Sequence, residues 1–160
     1  MLSVQNLNVT FNTRKGVVNA VEGISFNLKK GEILGIVGES GSGKSVTCFA
    51  LMKILDQTGV IKANEIVYSG IDLQNASEKE MIDIRGREIS MIFQNPRTSL
   101  NPIRKIGKQI EDVLKQHSQA NRYNAKQKAI EALKAVKIKD PENRYYSYPF
   151  ELSGGMCQRV

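Results

Sequence analysis

No stretch of this 160-residue chain is apolar for long enough to cross a bilayer, and residues 1–5 carry neither the basic nor the apolar region of a secretory signal. Cysteine is scarce. Cys48 and Cys157 stand far apart without a CxxC or a second ligand cluster, so they read as reduced helix or core residues rather than a disulfide or metal pair. The single histidine, His117, has no companion ligands and reads as a boundary residue. No G-x-G-x-x-G occurs, which disfavours a dinucleotide loop. The net charge of +7 comes from lysines and arginines scattered along the chain, in runs no longer than two and without interleaved aromatics. Dispersed charge of that kind marks solvated faces, and no nucleic-acid partner is expected. With 41% hydrophobic and 24% charged residues, the composition is that of a soluble globular protein with room for one real core, expected in the cytosol.

What the chain does have is a glycine loop. Residues 38–45 read GESGSGKS, which is G-x-x-x-x-G-K-S: Gly38, Glu39, Ser40, Gly41, Ser42, Gly43, Lys44 and Ser45. The apolar run 33–37 before it predicts a strand buried on both faces. Val46, Phe49, Ala50, Met52 and Ile54 after it predict a buried helix. Strand, glycine loop and helix form the context in which this motif cradles phosphate. Gly38, Gly41 and Gly43 let the backbone bend so that successive N–H groups approach phosphate oxygens. The helix opening at Lys44 adds the positive end of its dipole. Lys44 brings a mobile charge for β- and γ-phosphates, and Ser45 a hydroxyl for Mg²⁺. A glycine-rich turn with a stray lysine is the bland alternative; a chance match in this length is on the order of one in a hundred. A nucleoside-triphosphate site is the better reading.

Leu2, Val4, Leu7, Val9 and Phe11 nearly alternate and predict an opening strand, with Phe11 most simply a strand core residue. Two further strand-like pieces, 17–21 and 24–28, complete an antiparallel β layer. Residues 56–64 read as a polar loop, and 65–68 as a short strand. Ser77 and Glu80 form a capping box opening a helix that runs to Arg85. Residues 89–93 predict another strand, ending on Gln94, where open α/β sheets place ligand contacts. With two prolines, 95–102 reads as a loop. Ile106, Ile110, Val113, Leu114 and His117 form one face of a helix, and Ala129, Ile130, Leu133 and Val136 form a second within 125–137. Asp140 and Pro141 suggest a further helix start. Ser153, as N-cap of a helix opening at Gly154 and Gly155, makes a second potential anion cradle.

GESGSGKS at 38–45, FQNP at 93–96 and LSGGMCQR at 152–159 together resemble the ATP-binding subunits of ATP-binding cassette (ABC) transporters, across the whole chain. FQNPRTSLNP and ELSGGMCQRV look more narrowly like the oligopeptide, dipeptide and nickel importer branch. The resemblance implies an α/β, P-loop NTPase core: an antiparallel β subdomain at 1–31, the P-loop core at 32–99 and a helical subdomain with the signature motif at 100–160. It implies ATP and Mg²⁺ as cofactors. Phe11 would stack on adenine, the loop through Val46 would hold the phosphates, and Ser45 and Gln94 would reach the metal. Lys44 and Gln94 would serve the chemistry. Leu152, Ser153, Gly154, Gly155 and Met156 would act in trans on the ATP of a second ATP-binding subunit, identical or not. Membrane permease subunits would be met through the loop after Gln94, at the cytoplasmic face of the membrane.

The family pattern continues into an apolar strand ending Asp-Glu and a later histidine, whereas Val160 is the last residue here. The expectation is therefore a piece of a transporter ATPase without its C-terminal core strands, binding ATP poorly and hydrolysing it negligibly. Two other expectations remain: a cassette ATPase acting on nucleic acid in DNA repair or translation, and an inert remnant.

Overall fold

The structure, a computed structural model, describes residues 2–117 and 120–160, with the backbone alone at 96 and 97. The chain divides into two compact units, Met1–Arg85 and Gly86–Val160.

The first unit is built on β1 (Leu2–Thr13), which turns at Arg14 and Lys15 into β2 (Gly16–Leu28). The two strand pieces expected at 17–21 and 24–28 are one strand. On its other edge β1 is shared: residues 2–5 pair with β4 (Glu65–Tyr68), and residues 8–11 with β3 (Gly59–Lys62). Short β5 (Ile71–Asp72) extends β4, and every pairing is antiparallel. The stretch 56–64 thus holds a strand where a polar loop was expected; with only Val60 and Ile61 to mark it, its pairing with β1 decides it. Val4, Leu7 and Val9 are fully buried, although a spacing of three should put Val4 and Leu7 on opposite faces. Asn6 resolves this. It adopts φ 52°, a conformation asparagine tolerates, and a register shift falls between Val4 and Leu7, so the bulge returns Leu7 to the core side.

Helix α1 (Lys44–Leu51) packs on this sheet through Thr47 and Ala50. Helix α2 (Glu78–Ile84) begins with the expected capping box: the Ser77 hydroxyl accepts from the Glu80 N–H at 3.3 Å, and the Glu80 carboxylate accepts from the Ser77 N–H at 2.8 Å. Residues 33–37 do not form the expected strand. Ile33 is 96% and Val37 94% exposed, and among the described residues no strand pairs with them. Nor do residues 89–93: Ile89 makes an isolated bridge in which its carbonyl accepts from the Gly86 N–H at 2.8 Å, and Ile92 is 85% exposed. An apolar run buried on both faces owes its place to neighbouring ladders and covering helices, and cannot supply those hydrogen bonds itself.

The second unit is helical. After a single turn α3 (Pro96–Ser99), α4 (Ile106–Gln116) and α5 (Ala125–Ala135) pack together, followed by α6 (Pro141–Arg144), a 3₁₀ turn (Pro149–Glu151) and α7 (Gly154–Arg159). The loop expected at 95–102 therefore contains a helical turn, which its proline tolerates at the first position. Ile106, Ala129, Ile130, Leu133, Ile138, Tyr145, Leu152 and Cys157 make the core. The expected α4 stripe is rotated. Val113 is 56% exposed, while Glu111 is 3% exposed and points inward. The aromatic ring of Tyr145 lies where a Gly107 side chain would stand, and its hydroxyl donates to the Glu111 carboxylate. Lys108 at 3.1 Å and Lys115 at 2.7 Å complete the shell around that carboxylate. Val136 likewise leaves the α5 face and is half exposed at its C-cap.

Burial alone would raise the Glu111 pKa; the hydrogen bonds from Lys115, Tyr145 and Lys108 outweigh it and hold the carboxyl at about 2, below its ordinary 4.5. A carboxylate depressed on folding stabilises above its unfolded pKa and loses that contribution as pH falls towards the folded one. Glu111 is expected to account for on the order of 3 kcal/mol of the stability lost on acidification. Urea unfolding of wild type and Glu111→Gln should show the difference shrinking between about pH 4.5 and 2. A constant difference across that window would show that the carboxylate does not carry it.

Candidate functional site

The glycine loop lies between residues 32–37, which form no strand or helix, and α1. Gly41 at φ 86° and Gly43 at φ 83° occupy the left-handed region, which side chains make costly. Gly43 has a second reason to be glycine: a Cβ there would run into the Ala20 carbonyl oxygen of β2. The loop therefore rests directly on strand backbone. Thr47, buried one turn into α1, donates through its hydroxyl to the Gly43 carbonyl at 3.0 Å and ties the turn from the helix side.

Lys44, the first residue of α1, folds back over the loop. Its Nζ donates to the Gly38 carbonyl at 2.8 Å, the Glu39 carbonyl at 2.6 Å and the Ser42 hydroxyl at 3.2 Å. A Cβ on Gly38 would meet that same Ser42 oxygen at 2.7 Å. The first turn of α1 contains no acidic residue, so no side chain there offsets the positive end of the helix. Glu39, Ser40, Gly41, Ser42 and Ser45 are exposed, and Val46 is half-buried. A bent loop, a helix N-terminus and an ammonium held only by neutral oxygens can receive a polyanion, since phosphate oxygens make stronger, charge-assisted bonds to the same donors. These residues fit a triphosphate.

Phe11 is half-buried on β1, paired with Val18 of β2 and Gly59 of β3. Its ring edge closes on Gly59, where a Cβ would stand 3.2 Å from Cε1. Val18 lies two residues from Ala20, so β2 leads from the partner of Phe11 to the back of the loop. Phe11 and residues 38–46 belong to the first unit. Gln94 belongs to the second, exposed at a bend before α3. So does the 152–156 segment: Leu152 is buried, Met156 half-buried, and Ser153, Gly154 and Gly155 are exposed. The Ser153 hydroxyl accepts from the Met156 N–H at 3.3 Å as N-cap of α7, and nothing stands within 4 Å of the position a Cβ would take on Gly154 or Gly155. Among the described residues, no cluster of three or more histidine, cysteine, aspartate or glutamate side chains could hold a metal ion. Sequence reasoning missed Thr47, which its place one turn after Lys44 could have flagged, and Ala20, which nothing local marks.

A family profile described as ABC transporter matches residues 21–160. The chain belongs to the ABC transporter family. It is 52% identical over 161 residues to the oligopeptide transport ATP-binding protein OppD of Bacillus subtilis (strain 168), covering 100% of this chain and 45% of that protein. It is 46% identical over 160 residues to the dipeptide transport ATP-binding protein DppD of Escherichia coli (strain K12), covering 100% of this chain and 49% of that protein. The chain thus spans about half the length of the curated relatives it matches. Among solved structures, the dimeric MJ0796, a bacterial ABC transporter cassette, superposes with a TM-score of 0.82 at 24% identity over 99% of this chain and 66% of that one. The MJ0796 cassette in a post-hydrolysis state, bound to ADP and Pi, gives 0.80 at 23% identity with the same coverage. At that identity the likeness shows the fold: an α/β ABC ATPase cassette. No helix among the described residues of this ABC-family chain is long and apolar enough to cross a membrane.

Gly43→Ala should cost about 1–3 kcal/mol from the strained φ alone, with more from the collision at Ala20. Thermal unfolding should show the loss, and Gly41→Ala, whose Cβ would meet open space, should lose less. Equal losses at the two positions would mean that the β2 contact is unimportant.

Proposed function

We propose that this chain is the ATP-binding, energy-coupling portion of an importer for peptides, with nickel the other cargo of its branch, and that ATP hydrolysis drives the transport step. One observation carries the reading: the Lys44 ammonium, poised over a glycine loop at the start of a helix with no acidic first turn. The names of the OppD and DppD relatives support the peptide branch.

In this reading Gly38 to Gly43 offer backbone N–H groups to the phosphates, and Lys44 exchanges its carbonyl partners for β- and γ-phosphate oxygens. The Ser45 hydroxyl, and in the same reading the Gln94 amide, would be this chain's ligands to Mg²⁺, which would supply charge neutralisation for the phosphates. Phe11 is the candidate adenine platform, at the end of β1 nearest the Ala20 contact. Gln94 orients the attacking water, and the residues after it meet membrane permease subunits. Ser153, Gly154 and Gly155 serve a second ATP-binding subunit: an exposed helix N-terminus with open glycines suits the γ-phosphate of a neighbour's ATP. ATP favours the closed pair, and hydrolysis removes that preference, so cycles of closure move the permease between its two states. The proposed organisation keeps 1–31 as the antiparallel β part, 32–99 as the P-loop core and 100–160 as the helical part.

Lys44→Ala should abolish binding of a fluorescent ATP analogue while leaving the melting temperature within a few degrees; binding at wild-type affinity would remove the loop as the site. Ser153→Ala should leave that binding intact but weaken ATP-dependent dimer formation in sedimentation velocity. Unimpaired dimerisation would withdraw the role in trans.

A further inference from the structure

We propose that Arg85 is a positioning residue for the phosphate loop, acting through helix α1 from its far end; this rests on the nucleotide-site reading above. The sequence of α1 leaves its C-terminus uncompensated, with no basic residue in the last turn. The Cys48, Phe49 and Ala50 carbonyls of the last turn accept from the N–H groups of Met52, Ile54 and Lys53. From more than thirty residues downstream Arg85 reaches the next carbonyls, those of the C-cap Met52 and of Lys53, and brings the positive charge that a helix C-terminus favours. Its Nε donates to the Met52 carbonyl at 2.8 Å and its Nη2 to the Lys53 carbonyl at 3.0 Å, while Nη1 pairs with Glu78 at 2.6 Å. A planar guanidinium presents its donors on three nitrogens in a fixed fork, which matches two adjacent carbonyls on one side and a carboxylate on the other; an ammonium gathers its donors on one atom and does not reproduce that spread.

Lys53 makes a reciprocal tie. It leaves the helix at φ 50°, and its Nζ donates to the Gln74 carbonyl at 3.2 Å and the Ala76 carbonyl at 2.8 Å. The far end of α1 is therefore laced to the segment that leads into α2, just as its near end rests on β2 at Gly43. An eight-residue helix gripped at both ends has little freedom to tilt. The direction of its first N–H groups, and of Lys44, follows from both grips. Direct charge does not account for the effect: α1 is about 12 Å long, beyond a screening length of about 8 Å at physiological salt. Geometry carries the influence along the helix.

The test compares Arg85→Met and Arg85→Lys with wild type, Lys44→Ala, Glu78→Gln and Met81→Ala in the full chain. A fluorescent ATP analogue reports affinity, amide NMR shifts of Gly43, Lys44 and Ser45 report loop geometry, and thermal melts report stability. Both Arg85 variants should weaken binding about tenfold and move the three amide signals, with Arg85→Lys failing to restore them despite its charge. Glu78→Gln, which releases only the exposed contact, should stay within about twofold. Met81→Ala destabilises the buried side of α2 without touching the Met52 or Lys53 carbonyls, and should melt lower yet bind normally. Wild-type affinity in either Arg85 variant, or an equal loss in Met81→Ala, overturns the proposal. If wild type binds and Lys44→Ala binds equally, the phosphate-loop reading fails instead, and absence of binding in wild type overturns both.

Discussion

Backbone meeting backbone at Gly43 and Ala20 sets the geometry on which the candidate site depends. A loop that must turn into a helix, and present N–H groups outward as it does so, needs something rigid behind it. Here the support is the carbonyl side of β2, approached so closely that one methyl group would block it. Thr47 fastens the same peptide from the helix side, and Lys44 closes the loop across its mouth. The oxygens around that ammonium are neutral, so a polyanion can take their place with a gain in electrostatic strength.

The two units divide the labour of charge as well as of structure. The first carries equal numbers of acidic and basic residues, and the whole net positive charge of the chain falls in residues 86–160. Among the described residues of that second unit the one deeply buried carboxylate, Glu111, is surrounded by Lys108, Lys115 and the Tyr145 hydroxyl. It fixes Tyr145 against Gly107, at the centre of the helical core. A buried ionised group without such a shell would cost several kcal/mol; with it, the carboxylate helps choose one packing of α4 against the 141–147 segment.

Where local chemistry decides conformation, the sequence was legible. The P-loop residues, the Ser77–Glu80 box, the Ser153 N-cap and the Ala129, Ile130 and Leu133 stripe of α5 all draw their meaning from neighbours within a turn or two. Where conformation depends on distant partners, it was not. Residues 33–37 and 89–93 have the composition of central strands but no ladder among the described residues. Residues 59–62 have a modest composition and do have one, because β1 offers them an edge. Val113 and Glu111 exchanged roles because Tyr145, thirty-four residues from Glu111, provides both the ring that covers Gly107 and the hydroxyl that makes a buried carboxylate tolerable. Of the candidate site, the glycine loop and Lys44 are marked by a local motif, whereas the Ala20 carbonyl behind Gly43 is marked by nothing nearby in the sequence.

The shared edge of β1 has a kinetic consequence. Its first half and its second half wait for strands that lie some fifty to sixty residues further along, so the hairpin with β2 is complete long before the opposite edge is covered. Loop closure over such spans is slow relative to local pairing. During synthesis the emerging hairpin would expose a row of unsatisfied amides and carbonyls for several seconds, on a strand that carries polar side chains at Ser3, Gln5, Asn8, Thr10 and Asn12 but no charge to discourage pairing with another nascent chain.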